Sequence, residues 1–338
     1  MKQGNFTRGA TRPLLTAALL TAPLLTASLL AAGAAQAQAQ TWPSRPIRMV
    51  VPYGTGGATD AIARLLSTKM AESLKQPVVV ENKPGANSAI GTADVARSRP
   101  DGYSVLIVSS AHVVNPFVSK DLTYDARKDF AAVTHLTRMP SIFVVHPSVP
   151  ANSVKELIDE VKKNPTKYFY AIAGGLSNGH VTMERFKIAT GTSIEPVMFK
   201  GAGPAALEVA AGRVQMMMVA PPGIKPFIQD GRVRVLASTG SRGPVGMPPM
   251  PTIVDAGLPQ LEAWEWLGLL APAGTPKAIV DRTHAEVAAV LKDKAVVDGL
   301  VGQSMEVVGA GPEPFQAFLN AELDKMSKLT ATVKLAAE

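Results

Sequence analysis

The residues best placed by type and spacing to do chemistry stand in one stretch, Tyr170 to His180, "YAIAGGLSNGH". Gly175 to Gly179 reads G-x-S-x-G between a strand-like and a helix-like run, the pattern of a nucleophile elbow that exposes a serine, here Ser177. Acyl transfer by such a serine needs a histidine base and an acid to orient it, and in the hydrolase order the histidine follows the serine. Only His180 and His284 follow Ser177. His180 is three residues away on the same turn, a poor place for a base that a buried acid must orient, and His284 sits in the amphipathic "IVDRTHAEVAAVL". No HGGG-type oxyanion segment precedes the elbow. An anion-binding turn at a helix N-terminus is the favoured reading, and a secreted serine hydrolase using Ser177 is the alternative.

Other chemistries have less support. The five histidines show neither ligand spacing nor an accompanying carboxylate cluster, so no metal site is expected. In "PYGTGGATD", Gly54, Gly56 and Gly57 give G-x-G-G without the third glycine of the dinucleotide fingerprint, and no Walker lysine follows. No cofactor is expected. The absence of cysteine removes disulfides, thiol nucleophiles and zinc–thiolate sites.

One device does recur. "GTGGATD", "GGLSNGH" and "KGAGPA" (200–205) each put small residues after a strand and before a helix. Helix N-termini with orphan N–H donors favour negative charge, above all a carboxylate. One exposed end contributes only about 0.3–1 kcal/mol, so useful affinity needs several such ends facing one cleft.

The elements that must position these turns alternate as βαβ units. "IRMVV" (47–51), "VVVE" (78–81) and "SVLIVSS" (104–110), with helices between, predict a first sheet. A second series runs through strands at 168–172, 195–199, 214–219 and 233–238 with helices at 153–163, 180–190, 203–211 and 222–229. Between and after them, "PSIFVVHPSVP" (140–150) and "EWLGLLAPAGTP" (265–276) read as two crossings by which the chain leaves one domain, builds another and returns. The expected fold class is α/β with two mostly parallel, helix-flanked sheets. The expected domains are 40–144 with 268–338, and 145–267. Two crossings behave as a hinge.

The first forty residues carry Lys2, Arg8 and Arg12 without an acid, then a Leu/Ala/Thr run from Pro13 and "AAGAAQAQAQ". This predicts a signal peptide, residues 1–39, cleaved near Ala37 or Ala39, and a periplasmic location. Its loss takes the formal charge of the 338-residue chain from +7 to +4. No basic block interleaved with aromatics remains, so nucleic acid is not an expected partner.

Several segments also carry a family resemblance: "RPIRMVVPYGTGGATDAIARLL", "VVVENKPGANSAIGTADVARSRPDGYSVL", "VMFKGAGPAALEVAAGRVQMMM" and "PTIVDAGLP" with "EWLGLLAPAGTP". Through them the chain resembles the substrate-binding proteins of tripartite tricarboxylate transporters, the Bug family. The resemblance implies a monomeric two-domain flytrap closing on a small di- or tricarboxylate or aromatic carboxylate, delivery to membrane permease subunits, and no catalysis. A flytrap reporting its ligand to a membrane kinase would look the same in sequence. Carried over by position, the contacts would be Tyr53, Thr55, Gly56, Gly57, Ala58, Thr59 and Asp60, with Ser109, Ser110 and His112 nearby. From the second domain they would be Ser177, Asn178, His180, Lys200, Gly201, Ala202, Gly203, Val219 and Ala220. Family members commonly show Phe-Asp where this chain has Val219-Ala220, and loss of that acid argues against a ligand ammonium. Met218, Val219 and Ala220 read either as core or as an apolar edge for an aromatic ligand.

Overall fold

The protein was analysed as a computed structural model that describes residues 1, 4, 42–119, 121–173 and 177–331. The predicted leader and the first half of the G-x-S-x-G turn lie outside the described residues. All named elements belong to one compact unit, Arg45–Glu338. Among the described residues no helix is long and apolar enough to cross a membrane.

The first sheet has six strands. Strands β1 (Ile47–Val51), β2 (Val78–Asn82) and β3 (Ser104–Ser109) alternate with helices α1 (Ala58–Leu74), α2 (Ala89–Ala96) and α3 (Ala111–Val118). The chain then runs into β4 (Phe130–Pro140) and, after Ser141, into β5 (Ile142–Val145), which belongs to the second sheet. The second sheet adds β6 (Phe169–Ile172), β7 (Glu195–Met198), β8 (Met216–Val219) and β9 (Arg234–Ser238). Between its strands come α4 (Val154–Lys163), α5 (Asn178–Thr190), α6 (Ala202–Ala210) and α7 (Pro221–Gln229). The return strand β10 (Trp264–Pro272) re-enters the first sheet, followed by α8 (Lys277–Val290), α9 (Lys294–Gly302), β11 (Glu306–Ala310) and α10 (Pro312–Thr330).

The sheet orders are β11-β4-β10-β3-β1-β2 and β7-β6-β8-β5-β9. The βαβ pairs β1/β2, β1/β3, β6/β7 and β6/β8 are parallel, as the alternation predicts. The strands that carry the chain between sheets pair antiparallel, so both sheets are mixed. Strand β4 and strand β11 were not visible in the sequence. Most of β4 is buried, and "FAAVTHLTRMP" lacks the alternation of a half-buried strand.

Period-2 alternation places the second core. Met216 and Met218 pack with Phe143, Tyr170 and Phe186 on one face of the sheet, while Met217 and Val219 pack with Val144, Val209 and Ile224 on the other. In the first sheet Leu106, Trp266, Phe315 and Leu319 form one cluster. Gly268 is forced there, because a Cβ on it would fall 2.1 Å from the Phe315 ring.

The crossings are tied to each other. Ser141 N–H donates to Thr239 Oγ1 (2.9 Å), and Thr239 N–H donates back to Ser141 O (2.9 Å). The Thr239 hydroxyl donates to Ala263 O (2.8 Å), and Ala263 N–H donates to Thr239 O (2.9 Å). One buried threonine thus joins the β4–β5 link, the end of β9 and the start of β10. Gly240 beside it admits no side chain, since a Cβ would sit 2.8 Å from the Trp264 ring.

Candidate functional site

The turn between β1 and α1 is held from within. Asp60, in the first turn of α1, accepts from Gly56 N–H (3.0 Å), Arg64 Nε (3.0 Å) and Asn82 Nδ2 (2.9 Å). Asn82 Nδ2 also donates to Tyr53 O (3.2 Å), so the end of β2 braces both sides of the turn. The Arg64 guanidinium, then the Gly56 N–H and the Asn82 amide, hold the Asp60 carboxyl at about 2. Asp60 and the Gly56 N–H thus shape the loop from within. Gly56 must be glycine for the turn, at φ 83°.

No side chain caps α1, whose N-cap is Gly57. Its first-turn N–H groups lack intrahelical acceptors, and the helix dipole adds to their positive potential. Ala58 and Thr59 line a cavity of 240 Å³ that is also lined by Ser109 at the end of β3, Ala220 at the start of α7, and Arg138, Glu265 and Trp266 from the crossing strands. Elements of both sheets meet there. Helix α7 contributes its dipole end but few donors, because Pro221 and Pro222 occupy its first positions and carry no N–H.

Beside the cavity, the Tyr53 hydroxyl and Ser109 Oγ are 2.6 Å apart, and burial pushes the Tyr53 phenol up. Ser110 Oγ–H donates to Glu265 Oε2 (2.9 Å), and the nearby Asn178 N–H favours the ionised form of the same carboxylate. Ser110 and Asn178 line a neighbouring 440 Å³ cavity with Arg185. Glu265 is thus held from the start of α3 and lies near the start of α5.

The second half of the elbow motif is a helix start. Ser177 is the N-cap of α5 and accepts from His180 N–H (3.3 Å). Its φ of −66° and ψ of 142° are ordinary extended backbone, without the strain of a nucleophile elbow. Gly179 is required by a different neighbour: a Cβ there would fall 2.0 Å from Met218 O. His180 is buried, its ring 6.2 Å from Tyr170. His284 is bonded to Thr134 on β4 (2.9 Å).

The expected contacts therefore divide. Ala58, Thr59, Ser109 and Ala220 line the cavity between the sheets, and Tyr53, Thr55, Gly56 and Gly57 form the turn that leads into α1. Val219 is buried in the second core, next to Ala220 on the cavity wall. His112 is 1% exposed and packs against Tyr124 and Phe130, inside the first core and not along the cavity. Lys200 is exposed, and Gly201, Ala202 and Gly203 open α6, which abuts α7 at Ala202 and Gly223 rather than lining the cavity. Glu265 and Arg138 were missed. A charged residue opening the apolar run "EWLGLLAPAGTP" was the available signal for Glu265.

A family model described as "Tripartite tricarboxylate transporter family receptor" matches residues 62–335. Protein BugT of Bordetella pertussis is 33% identical over 294 residues, covering 86% of this chain and 90% of that protein. The solved structure of R. palustris Rpa4515 with adipate is similar with a TM-score of 0.75 at 33% identity, covering 88% of this chain and 100% of that one. MatC (Rpa3494) from Rhodopseudomonas palustris with bound malate is similar with a TM-score of 0.71 at 28% identity, covering 86% and 100%. The fold is the two-domain fold of periplasmic binding proteins.

Proposed function

The chain belongs to the tripartite tricarboxylate transporter receptor family, as a solute-binding protein, and from that premise we propose that it captures a small carboxylate between its domains for delivery to the membrane permease subunits of such a transporter. The observation that carries the reading is the uncapped start of α1, which brings Ala58 and Thr59 to the same 240 Å³ cavity as Ala220. A carboxylate there meets orphan N–H groups and a helix dipole in a partly dry site, where each is worth more than in water. The adipate and malate named in the two R. palustris structures support a dicarboxylate.

In this reading the domains are 40–144 with 268–338 and 145–267, closing about the Ser141–Thr239–Ala263 junction. The turn from Tyr53 to Asp60 and Ser109 form one jaw. Closure brings the α5 start, at Ser177 to His180, and the α6 start, at Lys200 to Gly203, toward the ligand. The protein works in the periplasm after loss of its leader, and carries out no bond-making step.

A thermal-shift screen of mono-, di- and tricarboxylates and aromatic acids tests this. A ligand that binds only the folded form stabilises it by about 2.7 kcal/mol at a hundredfold excess over its Kd. A flat screen would count against carboxylate capture.

A further inference from the structure

Among the acids near the cavity, Asp60 and Glu265 differ in one respect. Asp60 accepts three hydrogen bonds, one of them from the charged Arg64, which commits most of its accepting capacity. Glu265 lines the cavity with a neutral hydrogen-bond partner, the Ser110 hydroxyl (2.9 Å), and with the Asn178 N–H nearby. Among the described residues no lysine or arginine pairs with it. Arg138 lines the same cavity; its guanidinium donates to Glu306 (3.0 Å) and lies over the Trp264 ring (4.3 Å), while its Nε is buried without a hydrogen-bond partner among the described residues.

A half-buried carboxylate without a counter-charge carries a desolvation cost that a further donor would offset. The Ser110 hydroxyl donates to Glu265, and the nearby Asn178 N–H also favours its ionised form, against the burial that pushes its carboxyl up. The cavity lining thus has two unlike features. The α1 N-terminus favours negative charge, and Glu265 favours a donor and repels a second anion. Loss of the Phe-Asp acid at Val219-Ala220 therefore does not strip the cavity of acid. Glu265 supplies one from the return strand.

We propose that Glu265 is a specificity-determining residue that selects, among small carboxylates, those bearing a hydrogen-bond donor beside the carboxylate, an ammonium before a hydroxyl. The inference rests on the carboxylate reading above and narrows it. The closing experiment is calorimetric titration of the full chain with succinate, malate and aspartate, which share a four-carbon diacid skeleton and carry hydrogen, hydroxyl or ammonium at one carbon. Aspartate should bind at least about tenfold tighter than succinate, with malate between, a ratio of the size expected for one charge-assisted hydrogen bond. In Glu265→Gln the aspartate-to-succinate ratio should collapse, with succinate binding as well or better. Succinate binding as tightly as the other two in the unmodified protein overturns the proposal, and that arm needs no variant to fold. So does a ratio unchanged in Glu265→Gln. Silence from all three in the unmodified protein also overturns the proposal, while the carboxylate reading itself stands or falls by the wider thermal-shift screen.

Discussion

Gly179 faces the carbonyl oxygen of Met218 at a distance that leaves no room for a side chain, 2.0 Å from an ideal Cβ. The glycine of the elbow-like motif is therefore explained by the approach of α5 to β8. Gly179→Ala must push the helix off the strand, at a cost of about 1–3 kcal/mol for overpacking. Urea unfolding should show a lower midpoint with an unchanged slope. A midpoint within error of the unmodified protein would mean that the two backbones are not in contact.

Ser177 caps the same helix, and its removal acts on the cap first. Ser177→Ala should lower stability by about 1 kcal/mol, as N-cap deletions do, and weaken carboxylate binding modestly. Ester turnover by the unmodified protein that vanishes in this variant would overturn the assignment of Ser177 as a cap and binding residue.

Asp60 ties acid stability to the shape of the binding turn. Its carboxyl is lowered from 3.8 to about 2, so its contribution is complete above the higher value and disappears as pH falls toward the lower one. Asp60→Asn should be less stable than the unmodified protein at neutral pH, and the two stability curves should converge near pH 2. Parallel curves across that interval would show that Asp60 makes no such bonds.

Two buried histidines act in a separate and higher window. Burial pulls His112 to about 4, and burial together with the Arg138 charge pulls His135 to about 4, from an ordinary 6.5. The unfolded chain takes up these protons first, so stability falls as pH drops from 6.5 to about 4 and then levels for these groups. For the fully enclosed His112 the loss is on the order of 3 kcal/mol. His112→Leu should flatten this slope, whatever it does to absolute stability, in chemical denaturation series at stepped pH. An unaltered slope would remove His112 from the account.

Thr239→Val keeps the shape of the residue at the junction but removes its hydroxyl, leaving the Ser141 N–H without its acceptor in a buried place. The expected loss is about 1–3 kcal/mol. Small-angle scattering with and without ligand should also show a wider spread of domain angles in the variant. Unchanged stability and unchanged scattering would mean that the hydroxyl does not hold the junction.

Much of this was legible in the residues. "GTGGATD" announced the α1 start because glycines, small residues and an early acid mark a helix N-terminus, and the βαβ alternation placed both sheets. Local signals could not say how a polar atom is spent. Asp60 and Gly56 looked like ligand contacts and satisfy one another, while His112 is polar by type and sits among aromatic rings. Glu265 escaped because its partner Ser110 lies 155 positions away in the chain, and only folding brings them together. Strand β4 escaped because burial along nearly its whole length erases the period that marks a strand.

The threonine-centred junction has an evolutionary corollary. Because Thr239 ties the crossings through backbone partners and its own hydroxyl, it asks nothing of the side chains that line the cavity. The pivot and the mouth can drift independently. A lineage could therefore exchange Ala220 or Glu265 and acquire a new diet while inheriting its joint unchanged.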